Sequence, residues 1–169
     1  MLIRPETSRD VAAIDRVNRE AFGGDVEARL VERLRARDSV ITSLVVVDES
    51  SQIVGHILFS PATIVTSSHE MQVASLAPMA VTPALQRRGI GSMLVEHGLQ
   101  ACKNAGYRAA IVVGHPSYYP RFGFSPALVA NLENRFAKGE AFMGIELSRG
   151  SLSDISSGRV IYPEAFDQL

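Results

Sequence analysis

The sequence predicts an α/β (α+β) fold with a central mixed, mostly antiparallel sheet, and three observations lead to this prediction. First, β-branched runs separated by polar turns between positions 43 and 81 predict strands that meander antiparallel. Second, a strand, a helix and another strand follow between 76 and 113, and such a unit requires a parallel pair. Third, a length of 169 residues, with 46% hydrophobic and 21% charged side chains, fits a single domain, residues 1–169.

The chain begins with a short strand and two amphipathic helices. Leu2–Arg4 is the strand candidate. A capping box from Thr7 to Asp10 predicts the start of the first helix, which ends at Gly23-Gly24. The second helix begins near Asp25 and has an apolar face and a charged face, and the charged face is expected to be solvated.

Antiparallel strands are predicted next. Ser43–Val47 and Gln52–Phe59 are separated by a polar turn and predict a hairpin, and a third run, Ala62–Val65, continues past Pro61. These strands precede an apolar strand at Leu76–Val81. The first half of the chain is therefore strand-rich after its initial strand and helices.

Pro78 lies inside the predicted strand at 76–81. A proline donates no ladder hydrogen bond and is tolerated mainly at edges, bulges or gaps, so the sheet is expected to be disturbed here. A gap would leave the N–H groups of Met79, Ala80 or Val81 free to bind something other than a neighbouring strand.

A loop and a helix follow this strand and predict an anion site. The helix runs from Gly89 to Ala105, with Gly106 as its cap, and leads to a buried strand, Tyr107–Val113. The first N–H groups of a helix lack intrahelical partners and lie at the positive end of its dipole, so a phosphate is held there. Gly89 and Gly91 let a ligand approach the backbone, although the same pattern also fits a tight turn in which glycine serves packing alone.

Two other glycine-loop motifs do not match. The Walker pattern needs a lysine followed by serine or threonine after its second glycine, but Ser92-Met93 follows Gly91. The dinucleotide fingerprint fails because Leu94 stands where the third glycine belongs and no acidic residue lies near position 111. The predicted anion is therefore a pyrophosphate, without the metal apparatus that a triphosphate needs.

Composition argues against several function classes. A net charge of −1 offers no global field for nucleic acid or an anionic membrane. The single cysteine, Cys102, excludes an internal disulfide framework and suits a reducing compartment, so the cytoplasm is the expected location. We find no targeting segment and no run long enough to span a bilayer. A homodimer is the default expectation for an oligomer.

Two motifs resemble the GNAT N-acetyltransferase superfamily. Gln86–Gly91 reads Gln-x-x-Gly-x-Gly after an apolar strand and is similar to the family's acyl-CoA pyrophosphate loop. Tyr119–Phe124 reads Tyr-x-x-x-Gly-Phe and is similar to the ending in which a tyrosine opens a short helix. The resemblance extends from the first helix to a strand near 141–147, and it is strongest to a bacterial subgroup of predicted acetyltransferases whose acceptors are largely unassigned.

The resemblance implies both a fold and an activity. The fold is a three-layer GNAT-like one, with a twisted sheet, a splayed parallel strand pair and helices on both faces. The activity is transfer of the acetyl group of acetyl-CoA, without a metal, to a primary amine of a small molecule or peptide by direct attack in a ternary complex. The implied cofactor-binding residues are Met79, Ala80, Val81, Gln86, Arg87, Arg88, Gly89, Ile90, Gly91, Ser92 and His115.

Acetyl transfer from a thioester needs a neutral amine, a polarised carbonyl and a proton for the departing thiolate. The resemblance makes Tyr119 the catalytic proton donor, and aromatic packing is the alternative role for it. A free strand N–H between Met79 and Val81 would stabilise the oxyanion. The general base stays open between His56, His115 and an ordered water.

One departure from the family pattern and one alternative function accompany this hypothesis. Many members carry an asparagine at the end of the strand before the tyrosine, but Val112–His115 stands here, so His115 or a backbone group takes that pantetheine contact.

The alternative function is a non-catalytic acyl-CoA-binding or regulatory module; the presence of Tyr119 favours the enzyme. The acceptor pocket is expected between the first two helices and residues 125–141.

Overall fold

Eight strands and three α-helices make up the protein, whose computed structural model describes residues 1–169. The strands are β1 (Leu2–Pro5), β2 (Thr42–Val47), β3 (Ile53–Val65), β4 (Glu70–Val81), β5 (Ala109–Val113), β6 (Leu132–Glu133), β7 (Phe142–Glu146) and β8 (Gly158–Ile161). The helices are α1 (Val11–Phe22), α2 (Val26–Ala36) and α3 (Ile90–Asn104). None of the three combines the length and the apolar character needed to cross a membrane.

All eight strands belong to one sheet. Its main path is β1-β2-β3-β4-β5-β7, in which every neighbouring pair is antiparallel except β4 and β5, which are parallel. Strand β8 pairs antiparallel with the second half of β3, and the short β6 lies parallel to β8. The predicted mixed, mostly antiparallel sheet is confirmed, and the β6–β8 pair is an addition to it.

Helices cover both faces of the sheet, because successive side chains of a strand point to opposite sides. On one face, Ile14 of α1 and Leu34 of α2 are buried with Leu58 of β3. On the other face, Leu94 of α3 is buried with Phe59, the next residue of β3. The predicted three-layer arrangement is therefore confirmed.

The first helix begins as the capping box predicts. The N–H of Thr7 donates to the Asp10 carboxylate (2.7 Å), and one 3₁₀ turn precedes α1. Arg4 of β1 forms an ion pair with the same carboxylate (2.7 Å). The hydrogen bonds from Arg4 chiefly hold the pKa of Asp10 below its usual range, against the opposing effect of its burial. Gly23 ends the helix in the left-handed region at φ 70°.

Strand bounds differ from the sequence prediction mainly at Pro61. The run at 62–65 is not a separate strand, because β3 continues through Pro61 as one strand of 13 residues. On the side of β3 away from β4, pairing with β2 ends at Phe59 and pairing with β8 begins at Thr63. Pro61 lies between these two partners, where the missing N–H leaves no ladder bond broken.

A bulge and a divergence of strands interrupt the sheet beside Pro78, as predicted. Ile57 pairs with Met79 but Phe59 pairs with Leu76, so β4 carries one extra residue here. The parallel pair between β4 and β5 consists of residues 74–75 against 110–111 and extends no further. The carboxyl ends of β4 and β5 therefore splay apart, and this opening positions the site.

Candidate active site

A cleft of about 1020 Å³ opens between the splayed ends of β4 and β5. One end, the α3 end, is formed by the loop that precedes α3 and by the turn that follows β5. The other end, the α2 end, is formed by the α1–α2 corner together with the last residues of the chain. A ligand in this cleft contacts both halves of the sheet and both helical layers.

Backbone donors of β4 face the opening. Thr82 donates its N–H to Val54 of β3 (2.9 Å), and successive N–H groups of a strand alternate in direction. The N–H groups of Met79 and Val81 therefore point away from β3, toward the gap where β5 has diverged. The N–H of Ala80 points to β3, so of the three predicted donors only Met79 and Val81 are available to a ligand.

A run of unpaired donors lies at the α3 end. The backbone N–H groups of residues 87–92 make no hydrogen bond within the protein, and the first helical bond of α3 runs from Met93 to Gly89 (3.1 Å). Gly89 has φ 85° and Arg87 has φ 62°, so two left-handed residues turn the N–H groups into one concave surface. Six successive donors at a helix start form a site for a polyanion.

The predicted cofactor residues line the cleft, with the exception of Arg88, which is exposed on the outside of the loop. The Gln86 side-chain amide donates to the Val81 carbonyl (3.0 Å). Gln86 thus ties the loop to the end of β4, so its first contribution is to loop shape. His115, directly after β5, also lines the cleft and is exposed.

Tyr119 lies on the wall of the cleft opposite β4. It begins a 3₁₀ turn after β5, and its ring packs edge-on against Phe124, at a centroid distance of 5.7 Å. A Cβ on Gly114 would lie 2.4 Å from Tyr119 Cε2, so only glycine lets the ring lie against this backbone. The ring is 7% exposed, and its hydroxyl makes no hydrogen bond within the protein. Burial, and to a lesser degree Tyr118, raises the pKa of Tyr119, so it stays protonated.

The neighbouring Tyr118 was not predicted as a site residue. Its hydroxyl lies 3.5 Å from Ser92 Oγ at the start of α3, and a Cβ on Gly91 would approach that hydroxyl to 2.8 Å. The Arg121 guanidinium stacks over the Tyr118 ring, 4.4 Å from its centroid. Tyr118 therefore joins the turn after β5 to the loop of unpaired donors. The sequence signal that could have found it is its position directly before Tyr119.

His56 is completely buried and lies outside the cleft. Asn18 of α1 donates to Nδ1 (3.1 Å), so Nε2 carries the proton and donates to Ser43 Oγ (2.9 Å). Burial lowers the pKa of His56, which keeps the ring neutral. The Ser43 hydroxyl donates in turn to Glu6, which also forms an ion pair with Arg35 of α2 (2.8 Å). This polar network attaches α1 and α2 to the sheet and leaves His56 no contact with a ligand in the cleft.

The α2 end is apolar and contains one acidic side chain, Glu27. Besides Phe22 of α1, its aromatic members come from the C-terminal third of the chain: Phe136, Tyr162 and Phe166. The acceptor pocket is expected between the first two helices and residues 125–141; the α1–α2 corner lines the cleft, but within 125–141 only Phe136 does. Sequence reasoning missed Glu27, Tyr162 and Phe166, because their spacing along the chain gives no motif.

Clusters of three or more His, Cys, Asp or Glu side chains that could hold a metal ion are not found in the structure. Cys102, the one cysteine, is buried under α3 far from solvent, and burial raises its pKa to about 12. It packs in the core, as its position on the apolar stripe of α3 indicates.

Comparisons with known proteins agree with this geometry. Residues 2–127 match the family model of the acetyltransferase (GNAT) domain. The chain is 34% identical over 169 residues to the uncharacterized N-acetyltransferase YhbS of Escherichia coli K12, and the alignment covers 99% of each chain. The crystal structure of E. coli YhbS in complex with CoA superposes with a TM-score of 0.89 over 98% of this chain and 91% of that one. A GNAT family acetyltransferase of Brucella melitensis in complex with acetyl-CoA is 33% identical, with a TM-score of 0.79 over 98% and 97% of the two chains.

Proposed function

The chain belongs to the GNAT acetyltransferase family, and from this premise we propose that it transfers the acetyl group of acetyl-CoA to a primary amine by direct attack within a ternary complex. The observation that carries the proposal is the surface of unpaired backbone donors, which runs from Met79 and Val81 in the opened sheet to residues 87–92 at the start of α3. A pyrophosphate at one end and a thioester at the other fit this surface.

The residues present fit acetyl-CoA at each part of the cleft. The six N–H groups at 87–92 and the Arg87 side chain offer hydrogen bonds and positive charge to the pyrophosphate. The edge of β4 that β5 leaves unpaired offers strand-like hydrogen bonds to the amide groups of the pantetheine arm. His115 and the backbone near it close the opposite side. In the relatives above, CoA and acetyl-CoA are the ligands with which the proteins crystallised.

Acetyl-CoA supplies a thioester: the C–N bond forms as the C–S bond breaks, and a protonated amine yields an amide, the CoA thiol and one proton. The N–H of Met79 or Val81 donates to the thioester oxygen as negative charge develops there. One such donor contributes about 3–4 kcal/mol to catalysis in well-studied acyl transfer. Tyr119 donates its proton to the departing sulfur and regains one from solvent.

The environment of Tyr119 supports a role as proton donor. A phenol that donates must be protonated at neutral pH, and the raised pKa of Tyr119 keeps it so; the same burial makes it a weaker acid than a free tyrosine, so its proton passes only as negative charge builds on the departing sulfur. Its hydroxyl has no competing partner within the protein, so it is free to turn toward the sulfur. The amine proton passes to His115 or to water, because burial removes His56 from contact with the acceptor.

Direct attack is preferred to an acetyl-enzyme intermediate. Cys102 is the only cysteine, and its burial, with a pKa of about 12, makes it a poor nucleophile. Initial rates measured against both substrates distinguish the two routes. A ternary complex gives intersecting double-reciprocal lines, and parallel lines would point to an acetyl-enzyme.

Ligand binding tests the proposal most directly. In a thermal-shift panel of acetyl-CoA, CoA, ATP and NAD, we expect the first two to raise Tm, since a ligand at a hundred times its Kd stabilises by about 2.7 kcal/mol. Release of CoA thiol in the presence of an amine panel then tests turnover. A shift with ATP alone would contradict the acetyltransferase proposal, and tight acetyl-CoA binding without turnover of any amine would favour a non-catalytic module.

A further inference from the structure

We infer that the acceptor is a primary amine with one positive charge on an apolar, preferably aromatic, body, and that it binds at the α2 end between Glu27 and an aromatic cluster. This inference rests on the proposed function, because it names the substrate class of the same cleft. Three independent observations carry it: the distribution of charge along the cleft, the exposure of apolar side chains around one end, and the aromatic cluster itself.

Charge is distributed unevenly along the cleft. Its two arginines, Arg87 and Arg121, lie at the α3 end, where the unpaired N–H groups also lie. Its single acidic side chain, Glu27, lies at the α2 end. Glu27 is half-buried and makes no hydrogen bond or ion pair within the protein, unlike Asp25 on the same helix corner, which pairs with Arg29 (2.7 Å). The cleft thus offers an anion site at one end and one counter-charge for a cation at the other.

Apolar side chains are exposed around the α2 end. Phe22, Val26 and Leu169 line the cleft while exposing 44%, 51% and 52% of their surface. Large apolar side chains that remain exposed beside a cleft mark a binding surface for an apolar group. Because they line the same end of the cleft as Glu27, we expect the cation that pairs with Glu27 to bring an apolar body with it.

Three aromatic rings complete this surface. Phe136 and Tyr162 meet edge-on at a centroid distance of 4.9 Å, and Tyr162 and Phe166 lie 5.1 Å apart. Asn134 donates to the Tyr162 hydroxyl (2.7 Å) and so fixes that ring. Burial raises the pKa of Tyr162 to about 12, so this phenol adds no second negative charge. The cluster is suited to an aromatic or branched aliphatic group.

The same observations argue against acceptors with several charges. A polyamine or an amino sugar with three or more ammonium groups needs several carboxylates to replace its hydration, but only one acidic side chain, Glu27, lines the cleft. A small polar amine would leave the aromatic cluster and the exposed apolar side chains uncovered. An arylalkylamine and a peptide with an N-terminal aromatic residue share the required chemistry.

An acceptor panel tests the substrate class with the full-length protein. Initial rates of CoA thiol release would be measured with acetyl-CoA and phenethylamine, Phe-Ala amide, ethanolamine or spermidine. We expect kcat/KM for phenethylamine or Phe-Ala amide to exceed that for ethanolamine and spermidine at least tenfold, and the better of the two identifies the source. A preference for ethanolamine or spermidine overturns the inference while leaving the acetyltransferase in place.

Substitution of Glu27 tests the charge. Glu27→Gln is expected to lower kcat/KM for the preferred amine about tenfold, mainly through KM, while the calorimetric Kd of acetyl-CoA stays within twofold. Glu27→Asp should restore part of the loss. Glu32→Gln, the same change on the exposed face of α2, is the matched control and should be neutral. Equal effects of Glu27→Gln and Glu32→Gln would overturn the role of Glu27.

Substitution of Val26 tests the apolar surface. Val26→Asn should lower kcat/KM for phenethylamine about fivefold without affecting ethanolamine, whereas Val11→Asn, at an exposed position of α1 outside the cleft, should change neither. An equal loss of kcat/KM for both amines would overturn the role of the apolar surface. If acetyl-CoA binds but no amine reacts with the unmodified protein, both the proposed function and the proposed acceptor class are wrong.

Discussion

The two ends of the cleft are built from different parts of the polypeptide. At the α3 end the donors are backbone N–H groups of one short stretch, residues 87–92, shaped by Gly89. At the α2 end the contacts are side chains from three distant segments, such as Glu27 and Tyr162. A backbone site tolerates most changes of side chain, whereas a side-chain site changes its specificity with a few substitutions. We therefore expect substitutions to change specificity at the α2 end more readily than binding at the α3 end.

The two ends are also attached to the sheet differently, and acid should separate them with the largest effect. Helix α3 packs through apolar residues, whereas α1 and α2 combine an apolar face with the network of Glu6, His56 and Arg35. Burial opposes ionisation of Glu6, yet the His56 ring, whose Nε2 lies 3.7 Å from the carboxylate, and hydrogen bonds from Arg35 and Ser43 together lower its pKa from 4.5 to about 2. Because the folded-state pKa is depressed, this stabilisation is complete above pH 4.5 and is lost as the pH falls toward 2, a loss of about 3 kcal/mol.

His56 adds to the loss in the same direction. Its pKa is depressed by burial, so its neutral form stabilises the fold and that contribution declines as the pH falls below about 6.5.

Urea unfolding at pH 7, 5 and 3.5 measures the combined contribution of Glu6 and His56 to the free energy of unfolding. Glu6→Gln should cost about 3 kcal/mol at pH 7 and flatten the profile below pH 5, because it removes one partner of a buried pair. Glu49→Gln, in the exposed turn of the hairpin, should keep the original profile, and a Glu6→Gln profile as steep as the original would refute the network.

Replacing Tyr119 tests the proposed proton donor. Tyr119→Phe should lower kcat about a hundredfold, since a positioned acid contributes between a hundredfold and ten-thousandfold, while the Kd of acetyl-CoA stays within twofold. The ring keeps its packing and the lost hydroxyl had no partner in the protein, so Tm should not change. Tyr107→Phe, after α3 and outside the cleft, is the control. Unchanged turnover would remove Tyr119 from the acid role.

Distorting the run of backbone donors should weaken CoA binding at the α3 end and leave the α2 end unchanged. Gly89→Ala places an alanine at φ 85°, which costs about 1–2 kcal/mol and distorts the concave run of N–H groups. The Kd of CoA is therefore expected to rise about tenfold, with the preference among amines unchanged. Gly24→Ala, at a glycine without positive φ and with open space around it, should leave the Kd unchanged. A shift in amine preference would show that the two ends are coupled.

The smallest expected effect separates the adjacent arginines. Arg87 lines the cleft and Arg88 does not, although the sequence predicted both as cofactor residues. Arg87→Gln should raise the Kd of CoA about threefold to fivefold at low salt, and less at higher ionic strength because the charge is exposed. Arg88→Gln should change it less than twofold. Equal effects would restore Arg88 as a cofactor contact.

Features set by local geometry were predictable from the sequence. The glycine spacing before α3, the tyrosine of the turn after β5 and Pro78 at the bulge each impose a conformation that neighbouring residues determine. The mixed sheet with its parallel pair followed because hairpins and a strand–helix–strand unit allow few alternatives. The loop and the turn that form the α3 end of the cleft could accordingly be located from the order of residues alone.

Features that depend on contacts between distant residues could not be predicted. His56 stood as a candidate base because a run buried on both faces, such as β3, does not reveal which side chains face α1. Glu27 and Tyr162 are 135 positions apart and line one cleft only because the last segment of the chain packs against α2. A carboxylate on an amphipathic helix is most often solvated, so nothing in its spacing set Glu27 apart.

The unpaired N–H groups of residues 87–92 have a consequence for how binding is observed. Such groups exchange their protons for deuterium readily without ligand, because no intramolecular bond must first open. A bound pyrophosphate would slow the exchange of the whole run at once, within a segment short enough to fall in one proteolytic peptide. The deuterium exchange rate of this loop therefore shows whether a pyrophosphate is bound. The measurement needs no knowledge of the acceptor.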